Sequence, residues 1–324
     1  MTELTDGYTA IVLTGAAVLD FIVGDPWHWP HPVQGMGWLI QRYTNLAFKT
    51  TQSTTLMKGL GVLLSMILVG GSAAVGWGTV AISAWIHPNL GLALEIVLVA
   101  ACFAGRSLRD AADDVLAPLL QENLPMARQR LSRYVGRDTQ NLDKPEILRA
   151  VFETVAENSV DGMMGPLFYA FGGGANPQGS ASMAQAYKAD STQDSMVGYR
   201  EAPYTHIGWF SAKFEDALTW LPCRLTVLNL VLISKKPRQA IALCQRDAAA
   251  DPSPNSGWSE CAYAASLGVQ VGGKNVYKGM VKIKPLMGNA VQEITPKVIR
   301  ECLRLNRLCF LLWLSIWLSI RQFW

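Results

Sequence analysis

Apolar positions along the chain gather into long unbroken runs rather than into alternating or strongly amphipathic patterns. Leu60 to Ile86 is apolar apart from small polar residues, and its length predicts a tilted helix across a hydrocarbon core, which needs about 20 residues. Within it Gly70, Ala74 and Gly78 recur every four residues and predict a flat seam that another helix backbone can approach closely. Tyr8 to Val23 and Leu90 to Gly105 are shorter runs of the same character. Leu308 to Ile320 is shorter still, and its Trp313 and Trp317, with Trp324 beyond, suit either a fourth span or a helix lying along the interface. Two further stretches, Val160 to Gly173 and Leu218 to Ser234, carry Asp161, Arg224 and several Gly or Pro residues. They predict buried or re-entrant pieces, because ionisable groups and broken backbone at membrane depth persist only inside protein.

The polar remainder reads as helical. Pro125 opens a helix that ends at Gly136, and Asp143 with Glu146 forms an acidic capping box ahead of Ile147, Leu148, Val151, Phe152 and Val155 at helical spacing. No stretch of strict alternation predicts a sheet. The predicted fold is therefore mainly α, a polytopic helical membrane protein of about four spans with a helical cytosolic lobe. Residues 1–105 hold three spans and a cytosolic loop at 24–58. Residues 106–303 form the lobe, with re-entrant segments near 160–175 and 218–234, and residues 304–324 form the last span or interfacial helix.

Composition agrees with this reading. Half of the residues are hydrophobic and only 16% are charged, against about a quarter in soluble domains. The net charge of +3 is too small to imply nucleic acid, and no basic run is interleaved with aromatics. The six cysteines form no CxxC pair and no metal-ligand spacing with the four histidines, so they read as buried thiols in a reducing compartment. Glu3 and Asp6 take the place of a basic leader, so the first apolar run is expected to stay as an anchor. If all four runs cross, three Lys or Arg residues lie between the first and second, 24 between the third and fourth, and one after the last. The positive-inside tendency then puts residues 24–58 and 106–307 in the cytoplasm of a cell (inner) membrane protein, with both termini outside.

Several constellations could carry chemistry. Glu153 and Glu157 stand four apart, and Asp161 extends the same helix face. Like charges stacked in this way either hold a cation such as Mg2+ or form a solvated face, and the pattern leaves both open. A second cluster, Tyr187, Lys188, Asp190, Asp194, Ser195, Gly198 and Tyr199, followed by Arg200, His206, Lys213, Asp216 and Arg224, mixes acids for a metal with cations for phosphate. A third, from Arg246 and Asp247 through Asp251 to Asn255 and Gly257, is a turn-rich loop leading into a helix marked by Glu260. It suits either an anion at a helix N-terminus or a structural loop. GVQVGGKN, at Gly268 to Asn275, approaches a phosphate-binding loop but has Asn275 where Ser or Thr should ligate Mg2+. His28 and His31, set among Trp and Pro, read as a rigid loop closing over a site rather than a helical metal pair. Asp110, Asp113 and Asp114 have Arg106 and Arg109 for partners.

Taken in order, DFIVGDPWHWPHPV, VGRDTQNL, ETVAENSVDGMMGPLFY, AYKADSTQDSMVGYRE, AKFEDALTWLPCRLT, RDAAADPSPNSGWSE and LGVQVGGKNVYKG closely resemble the adenosylcobinamide-phosphate synthase (CobD/CbiB) family of cobalamin biosynthesis, from about Asp20 to about Pro296. The resemblance implies a multi-pass membrane ligase that joins adenosylcobyric acid to aminopropanol phosphate, or a related amino-alcohol phosphate, with ATP and Mg2+. On that footing Glu153, Glu157, Asp161 and Asp194 are expected to hold Mg2+, and Arg137, Lys188 and Arg224 to bind phosphates. Asn158, Asn255 and Arg246 are expected to orient substrate, with Asp138, Tyr199 and His31 joining the binding set. Glu157, Lys188 and Asp194 belong to the catalytic set as well, and Asp216 or Asp247 would help deprotonate the amine. The chain departs from the family pattern at Ser191, Glu215, Thr219 and Asp251, which are therefore expected to be dispensable. A membrane phosphotransferase or prenyltransferase is the rival enzyme class, but Asp161-Gly162 runs on into Met163-Met164-Gly165-Pro166 rather than the continuation CDP-alcohol transferases need. A transporter would show repeats and polar groups within the spans, and neither is visible in the sequence.

Overall fold

The structure is a computed structural model that describes residues 2–26 and 29–322, with side chains from 7 to 320. His28 and Trp324, and the side chains of Glu3 and Asp6, lie outside what it describes. In chain order the helices are α1 (Thr2–Ile22), α2 (Pro32–Thr50), α3 (Thr54–Ile86), α4 (Pro88–Ala100), α5 (Gly105–Leu120), α6 (Leu124–Leu131), α7 (Lys144–Ser159), α8 (Gly165–Gly173), α9 (Gly179–Val197), α10 (Trp209–Ile233), α11 (Pro237–Asp247) and α12 (Ser256–Leu267). The strands β1 (Gln270–Tyr277) and β2 (Met280–Gly288) precede α13 (Pro296–Gln322). A π-helical turn, Val160–Met164, joins α7 to α8. The chain is mainly α, as predicted, and folds as two compact units. One comprises residues 1–104, 161–219 and 314–324, and the other residues 105–160 and 220–313.

Among the described residues four helices are long and apolar enough to cross a membrane: Thr54–Ile86, Pro88–Leu120, Trp209–Ile233 and Pro296–Ile320. Apolar side chains such as Leu63, Met66, Val75, Ile82 and Trp85 on α3 stay exposed, as a surface built to meet lipid rather than water should. Gly7–Ile22 is a shorter apolar helix. The sequence predicts only a broken piece at 218–234, but α10 runs unbroken through Pro222.

In the first unit α9 packs against α2, α3, α4 and α8. The predicted seam on α3 is displaced. Gly70 and Gly78 face open space, whereas the close approaches are at Gly61, against the carbonyl of Ile207, and at Gly76, against that of Ala181. The α4 run is not wholly apolar in effect. Glu95, 1% exposed, accepts the Tyr8 hydroxyl at 2.8 Å and the backbone N–H of Ala181 at 3.3 Å. A carboxylate at this position satisfies N–H groups that the first turn of α9 cannot bond internally.

The second unit holds α7 and the β1–β2 hairpin, whereas residues 161–219 of the expected 106–303 lobe belong to the first. Asp143 and Glu146 form the predicted capping box on α7. The helix expected to run to Gly136 stops earlier, as α6, with Asn123 as its N-cap. The antiparallel β1–β2 hairpin is a correction to the sheet-free prediction. Its turn residues Lys278 and Gly279 take positive φ of 50° and 78°, the mirror-image turn that matches strand twist. A register shift between Val271 and Gly273 breaks the alternation that would have signalled the strands. The segment Gly268 to Asn275 is thus a helix cap and a strand, not a phosphate loop.

Candidate functional site

In the second unit α7 projects Glu153 and Glu157 one turn apart, and their surroundings differ. Glu153 is 2% exposed. Its Oε2 accepts Arg137 Nη2 at 2.5 Å, and its Oε1 accepts Arg149 Nη1 at 3.1 Å and the Gly272 N–H at 2.9 Å. Arg137 also donates to Asn275 Oδ1, and Arg149 to the carbonyls of Gly272 and Lys274. Burial acts to raise the Glu153 carboxyl, but the two guanidinium groups outweigh it and hold the group below 4.5. Glu153, expected as a Mg2+ ligand, instead clamps the hairpin to α7, and Arg137, expected on phosphate, is the other half of that clamp.

Glu157 is exposed to solvent, and its carboxylate makes no hydrogen bond or ion pair with any described residue. Protein still surrounds it closely enough for lost hydration to raise its carboxyl. Lys284 opposes that rise, Asp251 and Glu153 add to it, and Arg137 opposes it. Lys284, on β2, places Nζ 2.6 Å from Glu260 Oε1 and 3.6 Å from Asp251 Oδ2. Burial works against the Lys284 ammonium, but Glu260, Glu157 and Asp251 outweigh it and raise its pKa. Glu260 is fully buried and its Oε2 has no hydrogen-bond partner. Its carboxyl is pushed well up, by burial first and then by Glu157 and Glu153, with Lys284 pulling it back.

The loop from Asp251 to α12 borders this cluster. Asp251 Oδ1 accepts the Ser253 N–H at 2.9 Å. Arg224, on α10, donates to the Pro254 carbonyl at 2.9 Å, and its guanidinium lies 4.6 Å from the Trp258 ring and 5.3 Å from the Trp220 ring. It has no acidic partner among the described residues. Asn255, buried, heads α12 without a side-chain cap. Asp247 is committed elsewhere, accepting Arg246 Nε at 2.6 Å and the Gly288 N–H at 2.9 Å. The Arg246 bond chiefly holds its carboxyl below 3.8 against the pull of burial. It is therefore a poor base, and Arg246 is occupied with Asp247 and Asn289. Asp138 accepts the Lys278 and Gly279 N–H groups, fastening the hairpin turn rather than waiting for substrate. Asn158 bonds back to the Thr154 carbonyl.

In the first unit α9 carries the second cluster. Tyr187 stacks on Tyr169 at 4.9 Å, and its hydroxyl lies 2.8 Å from that of Thr219, which also bonds Glu215. Asp190 and Gln193 are fully buried, with no partner for either end group. Lys188 is half-buried and makes no ion pair with any described residue. Gly198 is required beside Asp194, since a Cβ there would strike the Asp194 carboxylate. Tyr199 donates to the Ser195 carbonyl, Asp216 lies within reach of Lys213 and Arg200, and Asp161 sits in the π-helical turn. His31 caps α2 through Nδ1 while its Nε2 lies 3.1 Å from Asp25.

The expected Mg2+ quartet is divided, with Glu153 and Glu157 in one unit and Asp161 and Asp194 in the other. Among the described residues no three His, Cys, Asp or Glu side chains converge as a metal cage. Sequence reasoning missed Lys284 as a site residue, named Asp190 in its second cluster without giving it a role, and took Glu260 only as a helix marker. It also discounted Asp251 and Thr219, which sit inside these polar clusters.

A family model described as "CobD/Cbib protein" matches residues 13–306. The chain is 48% identical over 311 residues to the cobalamin biosynthesis protein CobD of Synechocystis, covering 96% of this chain and 91% of that one. It is 42% identical to CobD of Halalkalibacterium halodurans, covering 90% of each. It is 40% identical to the cobalamin biosynthesis protein CbiB of Salmonella typhimurium, covering 94% of this chain and 95% of that one. No solved structure matches it.

Proposed function

The chain belongs to the CobD/Cbib family of cobalamin biosynthesis proteins, and we propose that it forms the amide bond between adenosylcobyric acid and aminopropanol phosphate, or a related amino-alcohol phosphate, using ATP. The product would be adenosylcobinamide phosphate. An amide cannot form from a free carboxylate and an ammonium in water without activation, and transfer of a phosphoryl group from ATP to the carboxylate is the simplest route. Such a reaction asks for cations that receive phosphate, a carboxylate open to substrate, and few groups already neutralised.

The observation that carries the reading is a set of half-buried or solvent-reached charges left without partners in an otherwise well-paired protein. Lys188 and Arg224 are cations with no acid beside them, and Glu157 is an acid with no hydrogen-bond donor on it. A partly buried charge without a partner is costly, so its retention supports a ligand of opposite sign. We assign phosphate binding to Lys188 and Arg224 and keep Asp216 as the base candidate, since Asp247 is saturated. Mg2+ fits as an ion arriving on the ATP phosphates, because it is commonly held by one or two carboxylates plus phosphate oxygens. Asp161 and Asp194, both in the first unit, are the acids that would complete its coordination, and the ion would offset phosphate charge. Catalysis on the cytoplasmic face of the cell membrane completes the proposal.

The test is reconstitution in lipid nanodiscs with ATP, Mg2+, adenosylcobyric acid and aminopropanol phosphate, with ethanolamine phosphate as competitor. One ADP should appear per amide formed, and Lys188→Ala should lower the rate by about 100-fold, as loss of one electrostatic stabiliser does. Folded protein that yields neither product nor ADP would overturn the ligase reading, and amide without ADP would overturn the role of ATP.

A further inference from the structure

Three carboxylates, Glu157, Asp251 and Glu260, share the single ammonium of Lys284, since Arg137 is committed to Glu153 and Asn275. Counted as carboxylates, the three carry two negative charges more than Lys284 neutralises. Glu260 Oε2 and Asp251 Oδ2 are buried oxygens with no hydrogen-bond donor on them, and Glu157 has none either. Buried acceptors are nearly always satisfied in folded proteins, so two in one place, beside a third carboxylate that solvent reaches, mark a missing donor. Arg137 and Arg149 meet the neighbouring Glu153 from the loop before α7 and from α7 itself, so no further protein cation is at hand.

The missing donor must be cationic, and its class follows from geometry. A metal ion would need its oxygens drawn to a common point at roughly 2.0–2.6 Å, and the described acids do not converge in that way. A primary ammonium has three N–H groups that diverge, so it can bond acceptors standing around it at ordinary hydrogen-bond lengths. Within the 251–260 segment, between Asp251 and Glu260, Arg224 bonds the Pro254 carbonyl and has no acidic partner among the described residues. A cation and an uncompensated acid set thus share one short segment within one unit. That arrangement is the complement of a short molecule with phosphate at one end and an ammonium at the other.

We propose that Glu157, Asp251 and Glu260, held in place by Lys284, form the receptor for the primary ammonium of the amino-alcohol phosphate, while Arg224 takes its phosphate. This rests on the functional reading above and adds to it where the nucleophile sits and in which orientation. Asp251 and Glu260 act as binding groups, Lys284 acts through them as a positioning residue, and selection against neutral alcohols is built into the charge of the site. A hydroxyl in place of the ammonium could not offset the negative charge that Lys284 leaves on Asp251 and Glu260, and could not supply donors to both of their open oxygens, which is the kind of loss that makes polar sites discriminate strongly.

The experiment compares the binding of ethanolamine phosphate and 2-hydroxyethyl phosphate to the full-length protein in nanodiscs by calorimetry, without ATP. Wild type should prefer the amine by about tenfold or more, the scale of one charge-assisted hydrogen bond. In Asp251→Asn and in Glu260→Gln the ratio should fall towards one, with binding of the hydroxy compound retained as the sign of a folded site. Lys284→Arg should keep the preference and Lys284→Met should lose it. Equal affinity in wild type would overturn the proposal, as would a preference that survives both acid substitutions, which would place the amine elsewhere. The amide assay judges the ligase reading separately. An active ligase with no amine preference leaves that reading intact and removes only this one.

Discussion

At the residue scale the decisive distinction is between charges that are consumed by the fold and charges that are left over. Glu153 and Glu157 are indistinguishable in the sequence, yet the first is bonded by Arg137, Arg149 and the Gly272 N–H while the second is bonded by nothing. Arg137→Ala should therefore act on stability. Removing one partner of a buried pair typically costs roughly 3–5 kcal/mol, partly offset here by Arg149. The same clamp predicts a pH dependence. Because the folded Glu153 carboxyl lies below its ordinary 4.5, its stabilisation is complete above that value and is lost as pH falls through the lower folded value. Chemical-denaturation midpoints measured from about pH 6 down to about pH 2 should fall more steeply below 4.5 in wild type than in Glu153→Gln, and parallel curves would show that the clamp contributes nothing. The sequence made these residues visible as a group because acids at helical spacing are conspicuous. It could not assign them, because the partners that decide the matter, Gly272, Asn275 and Lys284, arrive from a hairpin more than a hundred residues downstream.

At the element scale, what the sequence predicted well were features with local causes. The Asp143–Glu146 box lies where the side chains alone require it, and the α3 run is long enough that no alternative to a helix survives. The hairpin was hidden because its two strands carry glycines, a bulge and the run Lys282-Ile283-Lys284-Pro285, so the period-two signal never accumulates. The α3 seam was misplaced for a different reason. Regular spacing shows that a flat strip exists, but only the partner backbone decides which glycine it meets. Gly61 faces the Ile207 carbonyl and Gly70 faces nothing. Gly61→Ala should thus lower the thermal midpoint of the reconstituted protein, since a methyl there must displace backbone. Gly70→Ala should leave it unchanged or raise it slightly, alanine being the better helix former by about 1 kcal/mol. Equal effects at the two positions would mean that α3 is not approached closely at Gly61.

At the scale of the whole molecule the contacts constrain how the chain passes the membrane. Residues 121–160 and 234–295 must lie on one side, because Glu153 and Arg149 of α7 bond directly to β1 and α12 packs on α7. An even number of crossings must therefore separate them. Gly162 bonds Ala104 at the end of α4. Gly174 meets Thr9, Ser182 reaches the Ala73 carbonyl deep in α3, and Ile207 comes back to Gly61 near the start of α3. Within this unit α8 and α9 are thus expected to descend and return as a re-entrant pair that contributes no net crossing. On that reading α10, though long and apolar enough to span, is expected not to cross by itself. Charge agrees, since eight Lys or Arg residues lie in 121–208 and eight in 234–295, and a crossing by α10 would split them between faces against the positive-inside tendency. Single cysteines introduced as Lys144→Cys, Lys213→Cys and Lys236→Cys, in protein whose native thiols are all buried, should react with a membrane-impermeant maleimide from the same face of intact vesicles. Labelling of Lys236→Cys from the face opposite to Lys144→Cys would show that α10 crosses, and would separate the hairpin from α7 in a way that the Glu153 clamp does not allow.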